Sequence, residues 1–481
     1  MFNFESWLPW MVIIFGITSI ILYSLPSQYG SIIGKERSAN RVQILVLGDI
    51  GRSPRMQYHA LSIARHEIQV DLIGYLESNI HPDILANPAI IKVHPLDLTP
   101  EYLKTKDNRL FIFYGPLKVL FQIWTIWIVL GYRTRPARWL LVQNPPSIPT
   151  LFIAQIICFL RHTRLVIDWH NFGYSILALR LGNTHPLVQI SRLYERIFAR
   201  AAYAHFCVTD AMSRVLKRDY GISSEIRSLH DRPASNFRVL SNEQRHHFLD
   251  ELPALLYPED VQKRRDFTVT TEAVKKGVAK LLISSTSWTP DEDFSILLDA
   301  LVKYSDLAIT THPELPEILA VITGKGPQRA DFQSRISQLK AEGKLEMVTI
   351  ETAFLSINDY ARLLGSADLG VSLHTSSSGV DLPMKVVDMF GAGLPVAGWG
   401  EFEAWPELVH EGINGKSFSD AAGLQAILMQ LFGPDKGLLE KLKEGAVQEG
   451  KKRWDDEWDR VAAELFLPIS SYGLIFPHQI S

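Results

Sequence analysis

Lys385 and Asp388 stand three residues apart, a short way after a run of small polar residues, Ser376-Ser377-Ser378-Gly379. On a helix the two charged residues share a face. Three serines and a glycine bring hydroxyl and amide donors close to a ligand without bulk. The unsatisfied N–H groups of a helix start add roughly half a positive charge. That combination suits a phosphate or diphosphate, with the lysine on the phosphates and the carboxylate one turn on, beside sugar hydroxyls. An ordinary βα turn with a solvated Lys/Asp pair is the competing reading of the same residues. Lys325 lies in Thr323-Gly324-Lys325-Gly326-Pro327, a second glycine loop with a cation.

Two further groups lie in the first half of the chain. Gly48-Asp49-Ile50-Gly51-Arg52-Ser53-Pro54-Arg55 carries two arginines in one short loop, which a plain turn does not need. Ser53 is a good N-cap and Pro54 a good first helical residue, so the loop aims a helix start at something anionic. Asp168-Trp169-His170-Asn171 ends a strand before Gly173, and an Asp and a His two apart there suit substrate contact or base work. A satisfied Asp/His pair that merely holds the loop is the alternative. His59 falls inside the first helix and reads as packed or solvated. Asp291-Glu292-Asp293 reads mainly as the cap of the helix that follows, with a metal site as the sharper alternative. There is no Walker A lysine, no G-x-S-x-G, and no cysteine pair or histidine cluster with metal spacing.

The elements that must position these residues alternate in type. Apolar runs at 41–47, 70–75, 139–142, 164–167 and 203–209 read as strands of a first half, with a helix from Pro54 to about Arg65. Runs at 281–285, 318–322, 347–350 and 369–373 continue in a second half. There Pro383 opens a helix over 384–390, Gly391-Ala392-Gly393 stops it, and 394–397 is the next buried strand. Alternation of this kind predicts two doubly wound α/β domains, whose chemistry collects at the carboxyl ends of the strands. The expected division is 40–240, a linker with some helix over 241–280, 281–433, and a helical segment over 434–481.

Composition bounds the class. A chain of 481 residues with 47% hydrophobic residues has room for two cores. The formal net charge of −3 and the lack of a basic stripe give no reason to expect nucleic acid. Two isolated cysteines, Cys158 and Cys207, fit a reducing compartment. Residues 6–25 carry no charge and are about as long as a bilayer is thick, with Trp7, Trp10 and Tyr23 near the ends. No cleavage site follows, so the segment reads as an uncleaved transmembrane anchor. Lys35, Arg37 and Arg41 follow it and only Glu5 precedes it, which puts the bulk of the chain in the cytosol. A second apolar stretch, 110–132, holds Phe113, Phe121, Trp124 and Trp127 with Lys118 its one charge before Arg133. Gly115-Pro116 is expected to interrupt it. It reads either as a buried helix or as one that dips into a leaflet, with Arg133, Arg135 and Arg138 toward headgroups.

The run Pro383, Lys385, Asp388, Gly391, Gly393, Pro395-Val396 resembles the donor motif of nucleotide-sugar glycosyltransferases of the GT-B fold. Many of those enzymes carry another acid eight residues before the Asp388 position, where this chain has Val380 with Asp381 beside it. Taken with residues 48–59, 167–171, 230–233, 284–289 and 379–388, the likeness extends over about 40–420 and is to the chitobiosyldiphosphodolichol β-mannosyltransferases. Position 230 of that family is more often Tyr. The resemblance implies two Rossmann-like domains facing a cleft, the first for the acceptor and the second for GDP-mannose. It implies transfer of mannose to dolichol-diphosphate-linked di-N-acetylglucosamine, β-1,4-linked, on the cytosolic face of the endoplasmic reticulum membrane by a single-pass protein, with sister mannosyltransferases as potential partners. An α-linked donor and a β-linked product make the reaction inverting, with one base and a neutralised diphosphate. The donor side then falls to Ser376, Ser377, Ser378, Gly379, Lys385 and Lys325, with Asp388 on the ribose. The base falls first to Asp49, then to His170 or Asp168. Gly51, Arg52, Ser53, Arg55 and Asn171 fall to the acceptor. No metal or other cofactor is expected in that scheme, because the helix start neutralises the diphosphate. A lipid-acceptor transferase using another nucleotide sugar, a non-catalytic membrane scaffold and a nucleotide-sugar epimerase are the competing classes.

Overall fold

The computed structural model describes residues 4–26, 40–103, 111–289, 292–435 and 437–467. Lys35, Arg37, Leu110, Asp291 and residues 468–481 lie outside that set. The chain forms two compact units. The first comprises 1–207, 213–227 and 458–481, and the second comprises 208–212 and 228–457.

The first unit opens with α1 (Phe4–Ser24), 21 residues whose side chains from Trp10 to Tyr23 are largely exposed. Its sheet is built from β1 (Arg41–Asp49), β2 (Gln69–Tyr75), β3 (Ile91–Pro95), β4 (Trp139–Asn144), β5 (Arg164–Trp169), β6 (Ala204–Cys207) and β7 (Glu225–Ser228), in the order β3-β2-β1-β4-β5-β6-β7. The pairs from β3 to β6 are parallel, with Ile44 registered on Leu72 at one side and Leu141 at the other. β1 is covered on both faces, which is why it reads as a mostly apolar run. The helices are α2 (Pro54–Arg65), α3 (Pro82–Ala86), α4 (Phe111–Ile128), α5 (Thr150–Arg161), α6 (Gly173–Leu181) and α7 (Pro186–Ala199), followed by α8 (Asp210–Arg218), whose first residues, 210–212, belong to the second unit. The step from β1 to β2 runs one way across the sheet, and the steps from β3 through β6 run the other. Right-handed crossovers therefore put α2 on one face and α4, α5, α6 and α7 on the opposite one. The Gln155 amide on α5 reaches the Phe198 carbonyl on α7, and Phe152 meets Phe198 edge-on at 5.5 Å.

Gly115-Pro116 does not interrupt α4. The helix runs through Pro116, its sixth residue, and ends in a π-turn over Val129–Arg133. Proline there forfeits one backbone bond close to an exposed helix start, a smaller loss than in a helix centre. Uninterrupted, Phe113–Arg133 is long and apolar enough to cross a membrane, although Thr125, Ile126, Val129 and Leu130 are buried against the unit.

The second unit carries α9 (Asn242–Leu256), α10 (Val261–Lys275), β8 (Ala279–Ser285), α11 (Phe294–Thr310), β9 (Glu317–Thr323), α12 (Arg329–Ala341), β10 (Val348–Ala353), α13 (Ile357–Ser366), β11 (Leu369–Ser372), α14 (Met384–Gly391), β12 (Val396–Trp399), α15 (Trp405–Leu408), β13 (Gly415–Phe418), α16 (Ala421–Phe432) and α17 (Gly437–Gly450). The sheet order is β10-β9-β8-β11-β12-β13, parallel throughout. Residues 241–280, expected as a linker, are mostly α9 and α10. Ser241 and Gln244 form a reciprocal capping box, and Phe248, Leu249, Leu252, Phe267 and Val274 are buried. After α17 come α18 (Trp454–Val461) and α19 (Ala463–Phe466). Residues 458–467 return to the first unit, where Phe466 stacks on Trp458 at 6.1 Å and meets Trp139 edge-on at 5.7 Å.

Candidate active-site clusters

In the first unit, β1 ends at Asp49 and a single 3₁₀ turn follows. The Asp49 carboxylate accepts from the amides of Gly51 (3.3 Å), Glu77 (3.1 Å) and Ser78 (3.3 Å), and from the Ser78 hydroxyl. Burial works to raise its pKa, but these donors outweigh it and hold the group below the ordinary carboxylate range. Gly51 is required by the same packing, since a Cβ would lie 2.5 Å from the Asn79 carbonyl oxygen. Arg52 approaches Asp49 at 3.4 Å with its side chain 78% exposed. Ser53 caps nothing with its side chain and instead donates to the Asp49 carbonyl at 3.1 Å.

Arg55 turns inward from the first turn of α2. Its Nε and Nη2 donate to the two oxygens of Asp168 at 2.8 and 2.9 Å, and both side chains are buried. A guanidinium held this way in a fork on a buried carboxylate is not on offer to an acceptor diphosphate. Asp168, at the end of β5, also receives His59 Nε2 at 3.2 Å and His170 Nε2 at 2.9 Å. Burial opposes its charge, but Arg55 and His170 outweigh that cost and keep its pKa well below the usual range. The tautomers follow. Trp458 Nε1, a donor only, sits 3.0 Å from His59 Nδ1, so Nδ1 accepts and Nε2–H points at Asp168. Burial lowers the His59 pKa, so the ring stays neutral. In its neutral form His170, facing an ionised carboxylate, likewise carries its proton on Nε2, which leaves Nδ1 with a lone pair. Its side chain is 23% exposed. Asn171 Oδ1 accepts from the Phe172 amide at 2.8 Å and the Ser175 hydroxyl at 3.3 Å, starting α6. Glu195 pins the loop from behind, accepting from the Gly173 amide at 2.8 Å, Tyr220 Oη at 3.0 Å and the Ser147 hydroxyl.

In the second unit, α14 begins at Met384 with Pro383 as its N-cap, a residue that makes no side-chain cap bond. The preceding loop is braced from within. Ser376 donates to Asp381 and accepts from the Gly379 amide at 2.7 Å, while His374 Nε2 lies 3.2 Å from Asp381. The acid next to Val380 is thus a loop brace. The Ser378 hydroxyl is out of solvent with no partner among the described residues. Lys385 pairs with Glu292, which is buried and also accepts from Thr286 Oγ1 (2.6 Å) and the Ser287 amide (2.8 Å). Of the acidic run, Asp293 does the capping of α11, accepting from the Ser295 amide at 3.0 Å. Gly324, at φ +137°, lies so close to the Thr286 carbonyl that a Cβ would overlap it at 1.8 Å. Lys325 rests 3.6 Å above the Phe354 ring. Asp388 is partly buried. Burial and the neighbouring Asp231 carboxylate push its pKa up to about 7.

Asp231 belongs to a run of charged residues. His230 Nε2 lies 3.1 Å from Glu407 and its Nδ1 3.7 Å from Glu457, and Arg232 pairs with Glu449 (3.0 Å) and Glu457 (3.3 Å). Glu407 caps the first amides of α8, at Asp210 and Ala211, both 2.6 Å. Burial presses the His230 pKa down, but the two glutamates outweigh it and push it up to about 9. Asp210, His230 and Glu407 each bring one ligand atom within 4.8 Å of the others. A protonated imidazole has no lone pair for a cation, so the three read as an ion-pair cluster.

The structure therefore brings Asp168, His170 and Arg55 together, and keeps Asp49 with Gly51 and Ser53 in a separate loop. In the second unit it brings Ser376, Gly379 and Asp381 together and joins Lys385 to Glu292. Glu195 and Trp458 escaped sequence reasoning as site residues, while Glu292 was read with its neighbours as a helix cap or a metal ligand, and His59 as packed or solvated; neither reading foresaw the pairing of Glu292 with Lys385 or of His59 with Asp168.

No family model matches the chain. It is 48% identical over 440 residues to a protein of Arthroderma benhamiae named chitobiosyldiphosphodolichol beta-mannosyltransferase, covering 91% of this chain and 93% of that one. Proteins of the same name from Yarrowia lipolytica (42% over 464 residues; 96% and 94% covered) and Homo sapiens (39% over 447 residues; 90% and 93% covered) are also similar. Among solved structures, sucrose-phosphate synthase from Thermosynechococcus elongatus superposes with a TM-score of 0.60 at 11% identity, over 91% of this chain and 99% of that one. Anabaena Alr3699/HepE, in complex with UDP and glucose, does so with 0.56 at 15% identity, over 89% and 99%. Likeness at that identity speaks for the fold, which is GT-B with two parallel-sheet domains.

Proposed function

The chain belongs to the chitobiosyldiphosphodolichol beta-mannosyltransferase family, and we propose that it moves mannose from GDP-mannose to dolichol-diphosphate-linked di-N-acetylglucosamine, forming a β-1,4 link. The observation that carries this reading is identity of 39–48% over nine-tenths of the chain to proteins bearing that name.

On this reading the acceptor hydroxyl attacks the anomeric carbon as the bond to the GDP oxygen breaks, in a single inverting displacement. His170 Nδ1 takes the hydroxyl proton. Asp168 orients the ring and stabilises the imidazolium, and Arg55 and His59 hold Asp168. This choice displaces Asp49, whose carboxylate is engaged by four donors and has a depressed pKa, both of which weaken a base. The departing diphosphate is met by the start of α14, where Pro383 provides no side-chain cap, the Ser376–Gly379 loop and Lys385, with Lys325 in support and Asp388 toward the ribose. A diphosphate so neutralised needs no divalent cation. α1 anchors the protein in the endoplasmic reticulum membrane, and the cations after it keep both units cytosolic.

The test is turnover by the full chain in detergent, with GDP-mannose and a short-chain lipid diphosphate bearing two N-acetylglucosamines, with and without EDTA. The expected product is a trisaccharide lipid cleaved by β-mannosidase, formed equally in both. Product lost in EDTA overturns the metal-free part. GDP-mannose that neither binds nor reacts overturns the donor assignment.

A further inference from the structure

We propose that the outer face of α4, α5, α6 and α7 is a bilayer-docking surface, seated at headgroup depth beside the α1 anchor, with phospholipid as its occupant. The inference rests on the reading of α1 as a membrane span and goes beyond it by bringing a whole layer of the first unit to the lipid.

α7 shows the pattern most plainly. Val188, Ser191, Glu195 and Ala199 are buried against the unit. The outward side carries Leu187, Ile190, Leu193 and Ile197, which are between 45% and 57% exposed. Their spacing of three, three and four residues forms one stripe. A helix lying on a soluble domain turns polar residues outward, and this one turns aliphatic residues outward. Its neighbours repeat the pattern with Leu179 on α6, Phe159 on α5, and Leu120 and Trp124 on α4, all exposed. Exposed apolar residues recurring on four helices of one layer exceed what isolated surface hydrophobes explain.

Two observations choose lipid over protein as the occupant. The first is charge. Across these four helices the sole carboxylate is Glu195, and it is buried. The exposed charged residues are cations: Lys118, Arg180, Arg192 and Arg196, with Arg133 in the turn after α4. Asp219, whose carboxylate lies near Arg192 and Arg196, is paired with Arg218. Asp97 pairs with Arg133 at 3.6 Å, so the two acids beside this face each already face an arginine, and aliphatic residues flanked by a surplus of cations match an interface whose headgroups are anionic and whose interior is hydrocarbon. The arginine stems can lie along the apolar surface while their heads reach phosphate. The second observation is continuity with the span. Tyr132 Oη, just past α4, donates to the Ser24 carbonyl at the end of α1 at 2.6 Å. A Cβ on Gly131 would lie 3.2 Å from Pro26. The chain leaving α1 is thus held against the end of α4, so this layer lies where the anchor meets the unit.

The experiment places a nitroxide on single introduced cysteines in the full chain, reconstituted into vesicles with and without anionic lipid. Cys158 and Cys207 are buried and stay in place. Ile190→Cys and Leu193→Cys report on the stripe, Ile14→Cys on the anchor, and Val269→Cys, exposed on α10, on water. The expected result is that labels at 190 and 193 collide more with oxygen than with a water-soluble nickel chelate, as at 14 and opposite to 269. Arg192→Glu with Arg196→Glu should move the stripe labels toward the aqueous values in anionic vesicles. Stripe labels that match 269 while 14 reads lipid overturn the inference and leave the anchor standing. A label at 14 that reads water overturns the anchor, and the inference with it. Stripe labels shielded from both reagents overturn it in favour of a protein partner.

Discussion

Replacing His230 with Gln removes one positive charge from between Glu407 and Glu457 and keeps a side chain able to donate a hydrogen bond. The pKa of His230 rises from an ordinary 6.5 to about 9 on folding. A tenfold gain in proton affinity corresponds to about 1.4 kcal/mol, so the charge contributes about 3 kcal/mol. The sign follows from the direction. A histidine whose pKa is raised by folding stabilises the native state fully below pH 6.5, and that stabilisation is lost as pH rises through 9. For a unit of this size 1 kcal/mol moves Tm by about 2–4 °C, so the variant should melt about 6–12 °C lower near pH 6. By about pH 10 the gap should have closed. Glu407 keeps the amides of Asp210 and Ala211 in the variant, and Glu457 keeps Arg232, so the comparison isolates the imidazolium. Thermal melts of the detergent-held full chain, wild type and His230→Gln, across that pH range provide the assay. A gap that does not change with pH refutes a charged His230, and no gap at any pH refutes the ion-pair cluster.

His170→Ala should lower kcat by about 10²–10⁴-fold with little change in donor KM, measured in steady-state turnover. Asp49→Asn should keep most turnover per folded molecule while costing about 1–3 kcal/mol in a denaturant melt, and abolished turnover in folded Asp49→Asn returns the base to Asp49. Asp168→Asn removes one member of a buried pair and should cost about 3–5 kcal/mol of stability, and adding Arg55→Met to it should recover part of that loss in the same melt. Lys385→Ala should weaken GDP-mannose binding at least about tenfold by calorimetry, the loss of one charge-assisted contact. Asp388→Asn should raise Tm at pH 8 while weakening the donor. A carboxyl raised by folding to about 7 is compatible with the fold when protonated and destabilises it progressively as pH rises through that value, so removing it has most effect on the alkaline side.

Much of the scaffold could be read without coordinates. β1 and β8 announce themselves as mostly apolar runs, Ile44–Leu47 and Leu281–Ile283 at their centres, because both faces of a parallel sheet are covered. Pro54 and Pro383 mark helix starts to within a residue. The errors have local causes. The charge in 241–280 looked like a linker because the buried residues of α9 and α10 are few. Yet Ser241 and Gln244 at capping-box spacing were visible in the chain and mark the start of a helix that runs through Pro253, while Pro258 falls at the break before α10. Pro116 was given the weight of a central helix breaker although it sits near an exposed start, where one lost bond is tolerated.

The site was legible in residue type and opaque in role, for a reason that Asp168 makes concrete. Its sequence neighbours identify it as a carboxylate at a strand end, which is equally consistent with a base, a ligand contact or a brace. What decides between these is the set of donors around it, and those come from far along the chain. Arg55 is 113 residues away and His59 is 109. Trp458, which fixes the proton on His59, is 399 residues from it. An indole can only donate, so His59 must present its N–H to Asp168. Asp168, saturated by Arg55 and His59 and with its pKa well below the usual range, is too weak a base to take a proton itself. It can still orient a neighbour. His170 is that neighbour, held by one nitrogen and carrying a lone pair on the other. Local sequence supplied all three candidates for the base. The order proposed among them rests on a hydrogen-bond relay that begins in the last described helices of the chain.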